Sequence, residues 1–370
     1  MNNKERFINT ILGKQTDRAP LFFKMGFWTE TVDRWKNEGI ADGQWDEGLN
    51  FDEGMLCITD PDASETSVNI GLSPWFDNKI IKEDERKIIL RDRFGSLMES
   101  MKDSDSLPRH LEYPVSDMNG WNEIKKRLNP HDPKRFPVNF NELASEYNKS
   151  EKLIVIGEYP FGLFGTCREL MGVEEFLVSF YTQPELIKDM MDYLTDFWII
   201  IYKKIAKIVK VDCVHIWEDM SGQTGSLISP ALVREFMIPN YKKIKQFCDE
   251  YDIPIFSVDT DGDVRELIEP FMEAGVNLLY PFEVIEKFST LDYRKKYPSL
   301  GMLGGIDKME IAKGKEAIDE LMVKVREVLA YGRYIPTPDH AIPPQVSHEN
   351  YVYFVQQLEK AINISSLSRK

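Results

Sequence analysis

Asp259 and Asp261 stand two residues apart at the end of the apolar run Ile253–Asp261. In an extended strand, residues i and i+2 point to the same face, so this pair aims two carboxylates at one point, where they can bind a cation or share a proton. Gly262 follows and permits a sharp exit. The competing use of these side chains is to cap a helix expected over Val264–Phe271, and one cap leaves the other aspartate free. A second cluster joins Asp339 and His340, with Pro336, Pro338, Pro343 and Pro344 around them. Prolines restrict the backbone and so hold an imidazole in one orientation. Glu158-Tyr159-Pro160 and Tyr280-Pro281-Phe282-Glu283 each set a carboxylate beside an aromatic ring. Lost hydration there raises an acid's pKa and fits it to donate a proton. Glu218 and Asp219 are adjacent, so one is expected to face inward and the other to support its surroundings, unless both cap the segment from Ser221 onward.

These residues share one kind of position. Eight short apolar runs, Ala19–Lys24, Met55–Asp60, Leu153–Glu158, Cys213–Asp219, Ile253–Asp261, Asn277–Glu283, Leu300–Asp307 and Arg333–His340, each end in a polar or charged residue, with helix-length segments between most of them. Eight strand–helix units predict an α/β chain folded as a (β/α)8 TIM barrel, whose chemistry is built at the C-terminal ends of its strands. Glu158, Glu218, Asp219, Asp259, Asp261, Glu283, Asp307, Asp339 and His340 all fall there. His215 alternates with Val214 and Ile216 and reads as core or barrel wall rather than ligand, whereas His110, His131 and His348 read as surface residues.

The chain of 370 residues is read as a single domain, 1–370, because barrels of this class reach that length with insertions. A helix with Phe7, Ile8, Ile11 and Leu12 on one face leads into the first run and stops at Gly13. Lys79–Glu83 and Lys87–Arg91 flank a turn-like Asp84-Glu85-Arg86, so residues 65–115 read as a β-hairpin-containing insertion after the second strand, a lid or an ordinary structural cap. A long helix is expected from Gln183 to Lys210. Another opens at Ser229-Pro230 and runs through Cys248, kinked by Pro239.

Lys and Arg number 46 against 61 Asp and Glu, a formal charge of −15, and no dense basic stretch offsets it. Nucleic acid and anionic membrane are therefore poor partners. The N-terminus lacks an apolar signal region and no run is long enough to span a bilayer, so a cytoplasmic location is expected. The four cysteines are widely spaced and suit reduced thiols; Cys213 and Cys248 read as core, and Cys167 could reach the mouth.

Several motifs occur in a characteristic order: Asp17-Arg-Ala-Pro20, Leu111-Glu-Tyr-Pro114, Glu218-Asp-Met220, Ile228-Ser-Pro230 with Pro239 and Tyr241, Gly304-Gly-Ile-Asp307, and Pro338-Asp-His-Ala-Ile-Pro343. Together they resemble the uroporphyrinogen decarboxylase superfamily over nearly the whole chain. The resemblance implies a single-domain (β/α)8 barrel and one of two chemistries: decarboxylation of uroporphyrinogen without a cofactor, or methyl transfer involving a corrinoid carried on a separate protein. The decarboxylase pattern has an arginine-rich segment after the first strand, but here Lys24 to Glu30 contains no arginine. Repulsion of about 4 kcal/mol per like-charge pair, at about 4 Å and an effective dielectric constant of about 20, disfavours an octacarboxylate in so acidic a mouth. His340 nevertheless looks similar to the decarboxylases' active-site histidine.

The thiol-directed methyltransferases carry a zinc motif of His-x-Cys after strand five and a late Cys, where this chain has Asp259-x-Asp261 and Asp339-His340. Hard oxygen ligands for soft thiolates point away from thiol activation and toward a leaving group bound through oxygen or nitrogen. The expectation is thus a corrinoid-dependent methyltransferase acting on a methyl ether or methylamine. Asp259, Asp261 and His340 would be the ligands of Zn2+ or an acid relay, with Glu158 or Glu218 as proton donor. Trp28, Tyr159, Phe161, Phe282 and Glu283 would line the substrate site, and Phe22 and Phe27 would add aromatic surface for an aryl ether. The expected partners are the small methyl donor and a cobalamin-binding protein, with a second copy, as a homodimer, also compatible with the sequence. The alternatives are true uroporphyrinogen decarboxylation and a non-catalytic binding relative whose mouth is plugged by the 65–115 insertion.

Overall fold

A computed structural model describes residues 1–61, 64–102, 108–285 and 288–367, so positions 103–107 of the expected insertion lie outside the described residues. Seven strands form one parallel sheet in chain order: β1 (Met55–Cys57), β2 (Leu153–Gly157), β3 (Cys213–Trp217), β4 (Ile255–Asp259), β5 (Leu278–Phe282), β6 (Gly301–Ile306) and β7 (Tyr334–Pro338). The sheet curls in the manner of a TIM-like barrel. From β2 to β7 nearly every strand residue is buried, as expected when a parallel sheet is covered on both faces.

The period of two sorts these strand residues into two cores. Leu153, Val155, Cys213, Ile255, Leu278, Leu303 and Ile335 fill the interior with Phe7 and Ile11 of the N-terminal helix Asn3–Ile11 and with Phe22. The residues between them, such as Ile154, Ile156, Val214, Ile216, Phe256 and Val258, face the surrounding helices. The helix plugs the lower end of the interior, and Asn2 and Glu5 close its start as a reciprocal capping box. Everything above the plug and in phase with it must point into the upper end.

Ala19–Lys24, expected as a strand, is extended but makes no ladder. Pro20 has no N–H to give, Leu21 N donates to the Asp52 side chain at 2.8 Å, and Leu21 O accepts from Asp52 N at 2.9 Å. Arg6 and Arg18 hold Asp52 in place. The backbone is thus satisfied by one aspartate instead of a neighbouring strand. A parallel bridge between Phe27 and Ile342 connects this segment to the chain beyond β7.

Residues 79–112 contribute a four-stranded antiparallel sheet in which Lys79–Glu83 pairs with Lys87–Arg91 across a turn. Asp84 Oδ1 organises the turn by accepting from the N–H groups of Arg86 and Lys87. Pro239 is accommodated by a π-helical turn, Val233–Met237, that precedes helix Ile238–Glu250 and aims Tyr241 at the site. No helix among the described residues is long and apolar enough to cross a membrane.

Candidate active site

The inward phase set by Cys213 and Ile255 continues upward to His215, Ser257, Asp259 and Asp261. His215 Nδ1 and Ser257 Oγ share a hydrogen bond, and His215 Nε2 lies 3.7 Å from Asp259 Oδ2. His215, expected as wall, is therefore part of the site. Burial, with a contribution from Lys24, pushes its pKa down to about 3 and keeps it neutral.

Neither aspartate of the pair caps a helix. The following helix begins at Ile268 instead of Val264, and Asp263 makes the local turn by accepting from Arg265 N. Burial, reinforced by Asp219 and Glu158 against partial relief from Lys24, raises Asp259 to about 8. Burial, then Asp259 and Glu283, raises Asp261 to about 7. Lost hydration and the neighbouring acids thus favour the protonated form at both positions. Asp261 Oδ1 is buried without a hydrogen-bond partner, and so is the hydroxyl of Tyr280, which sits in register with Asp259 on β5.

Glu158 reaches the same space by a backbone turn. Strand alternation alone would send it outward, but Gly157 and Glu158 have φ of 100° and 81°, and the side chain turns to form an ion pair with Lys24. Burial opposes ionisation of Glu158, while His215 and Lys24 favour it, and its pKa ends below the usual glutamate value. With His215 neutral, the Lys24 ammonium is the effective partner. The Lys24 Nζ also lies 5.0 Å from the centre of the Tyr280 ring. A cavity of about 420 Å³ opens beside this pair, between Phe22–Lys24 and β1, where the missing ladder leaves the wall unsealed. A Cβ at Gly157 would meet the His215 carbonyl oxygen at 1.9 Å. Gly157→Ala is therefore expected to cost about 1–3 kcal/mol or more, measured by urea denaturation.

Glu218 lies one residue past the end of β3, out of the inward phase. It is fully buried and accepts from the N–H groups of Leu163, Phe164 and Gly165 at 3.0, 2.6 and 3.1 Å, and from the Tyr241 hydroxyl. Burial nonetheless raises its pKa to about 7 against those four bonds. The side chain anchors the start of helix Leu163–Met171, a favourable place for a carboxylate. Asp219 faces Arg168, whose guanidinium donates to its carboxylate at 2.9 Å and stacks 4.9 Å from the Trp217 ring centre.

On the far side, Glu283 accepts from Gly262 N at 2.7 Å, and Lys308 Nζ lies 3.1 Å from Asp339 and 4.0 Å from Glu283. His340 is half-buried and acts electrostatically on both Asp259 and Asp261. Among the described residues, no group of three or more His, Cys, Asp or Glu side chains is disposed to hold a metal ion. Asp259, Asp261 and His340 are accordingly not gathered into such a group. Asp307 caps its own helix through Met309 N.

The aromatic expectations divide. Tyr159 is 59% exposed at the mouth and packs edge-on to Trp217, and Trp28 is 46% exposed at the start of helix Thr29–Asn37. Phe161 is buried against Trp198. Phe282 points outward to Tyr293 because the β5–β6 register shifts between Leu279 and Phe282, which reverses the phase of the strand end. Phe22 belongs to the interior plug, and Cys167 is fully buried away from the mouth. Ser257, Lys308 and Tyr241 carry no local sequence signal for the site beyond the inward phase of Ser257, whereas Lys24 and Tyr280 stand at strand ends in the sequence without a role assigned to them.

A parallel barrel-like sheet with two carboxyls of raised pKa at its C-terminal end defines a candidate enzyme of the TIM-barrel class. The model of the uroporphyrinogen decarboxylase (URO-D) family matches residues 94–361, and the chain belongs to that family. Among solved structures, a methyltransferase from Methanosarcina mazei shares the fold, with a TM-score of 0.61 at 15% identity, over 97% of this chain and 99% of that one. A search of curated proteins finds no match.

Proposed function

We propose that the protein is a methyltransferase that removes a methyl group from a small donor with an oxygen or nitrogen leaving group and passes it to a corrinoid on a separate cobalamin-binding protein. The observation that carries this reading is the placement of Asp259, buried, and Asp261, half-buried with an unpartnered Oδ1, at the C-terminal end of β4, where burial favours the protonated acid. Bond cleavage at a methyl carbon is slow while charge builds on the departing atom, and a positioned acid relieves it. When bound, the corrinoid supplies a reduced cobalt centre as nucleophile. The chain supplies the acid, and His215, neutral and 3.7 Å from Asp259, adds no positive charge that would draw the proton off the pair. Glu158, held ionised by Lys24, fixes the electrostatics of the inner wall. The family and the methyltransferase fold neighbour support the reaction class.

The test is transfer from a panel of methyl ethers and methylamines to reduced free cobalamin, followed by its absorbance. Methylation with any of these donors supports the reading, and none with all of them overturns it.

The description of the family favours a second reading, decarboxylation of uroporphyrinogen. Against it, the mouth cations are already engaged: Lys24 by Glu158, Lys308 by Asp339 and Arg168 by Asp219. Uroporphyrin, with its eight carboxylates, is expected to bind negligibly at physiological salt by fluorescence titration. Tight binding would restore the decarboxylase reading.

A further inference from the structure

The strands Lys79–Glu83, Lys87–Arg91, Leu97–Met101 and Arg109–Glu112 form a sheet in which no residue is buried. It has no core of its own, although it carries Ile80, Ile88, Ile89, Leu90, Leu97 and Met98. Lys79–Glu83 is an edge strand, paired on one side alone among the described residues, and its Ile80 and Ile81 are 55% and 49% exposed. The register shift between Ile80 and Lys82 leaves Ile81 without a counterpart on Lys87–Arg91. An edge with unpaired backbone groups and exposed isoleucines is a template for another strand.

Charge selects which strand. Lys79 stands directly opposite Arg91 in the ladder, both are exposed, and neither has a carboxylate partner among the described residues. Like charges so placed are unfavourable until an anion comes beside them. When Lys79–Glu83 pairs antiparallel with its own copy about a two-fold axis through Ile81, Lys79 meets the partner's Glu83, Ile80 meets the partner's Lys82 and the two Ile81 side chains meet each other. Opposite signs thus face each other at both ends of the contact. Lysines ordinarily guard an edge by repelling a second one, but this register sets no lysine against a lysine. Residues 79–112 hold eight Lys and Arg and eight Asp and Glu, whereas the whole chain is at −15. Two copies can therefore meet through this segment without the repulsion that their bodies carry.

We propose that Lys79–Glu83 is a dimerisation edge, at which two copies of this chain pair antiparallel about Ile81 and join their sheets into one. The contact is isologous and closed, so it stops at two copies. Its small area sets the association in the micromolar range and not that of an obligate dimer. The pairing is independent of the reaction the barrel performs.

Sedimentation velocity of the full chain, from about 1 to about 200 µM, tests the proposal. Wild type is expected to move from a mass of 43.0 kDa toward twice that value as concentration rises. Lys79→Glu sets two carboxylates against each other at each end of the contact and is expected to weaken the dimer about tenfold or more. Within each chain the same substitution faces Arg91 with an opposite charge, so the sheet itself is not put at risk. Adding Glu83→Lys reverses both members of each pair and should return the affinity to within about threefold of wild type. The exposed contact of Glu83 with Lys102, at 2.6 Å, is given up in that variant and is worth little. A wild type that stays monomeric throughout, a dimer that Lys79→Glu leaves intact, or a double variant no tighter than the single one would each overturn the proposal.

Discussion

Methyl transfer by the Asp261→Asn protein is expected to fall by about 10²- to 10⁴-fold in kcat/KM, the range over which positioned acids act. Asparagine keeps the shape and one oxygen of the side chain but carries no transferable proton. The fold should not suffer, because Asp261 Oδ1 makes no hydrogen bond that the variant could lose. The same chemistry fixes the pH profile. Asp259 and Asp261 lie at about 8 and about 7, so the wild-type rate should decline as pH rises through that interval and the acid's proton is lost. Stability follows the same sign. Folding raises both pKa values above the ordinary value of 3.8, so the folded state binds the protons more tightly than the unfolded chain. The pair therefore costs nothing below pH 4 and costs progressively more as pH rises toward 8, after which the penalty is constant. Asp259→Asn should match wild type in urea at pH 4 and exceed it at pH 8.

Glu218→Leu should lower stability by about 3–5 kcal/mol, since it strips the acceptor from several buried donors at once. Three N–H groups at the start of helix Leu163–Met171 and the Tyr241 hydroxyl all converge on this one carboxylate. Their loss would loosen the helix and the adjoining Glu158–Phe161 segment together. Urea denaturation measures the effect. The milder Glu218→Gln retains an acceptor oxygen and separates anchoring from chemistry. If that variant folds normally and keeps methyl transfer, Glu218 is an anchor; if it folds normally and is inactive, Glu218 returns as a proton donor.

The period-two alternation of the strands made much of the site legible before any coordinates. Asp259 and Asp261 point inward because they keep the phase of Ile255, two and three steps below them. The residues that escaped this logic do so where the phase breaks. Glu218 lies just past the end of β3, Glu158 is the second of two consecutive residues with positive φ, and Phe282 sits beyond the register shift in β5. Ala19–Lys24 reads as a strand in isolation, but Asp52, thirty-one residues beyond Leu21, takes over the backbone bonds a neighbouring strand would make. The pairings of Lys24 with Glu158 and of Lys308 with Asp339 are likewise long-range, and local patterns carry no signal for them.

Infrared difference spectroscopy of wild type against Asp259→Asn at pH 7 reads the protonation of Asp259 directly. A carbonyl stretch of a protonated carboxylic acid, present in wild type, missing from the variant and bleached as pH is raised past 8, is the predicted result. An absence of that band at pH 7, with only ionised carboxylate replaced, would contradict the acid role on which the proposed methyl transfer depends.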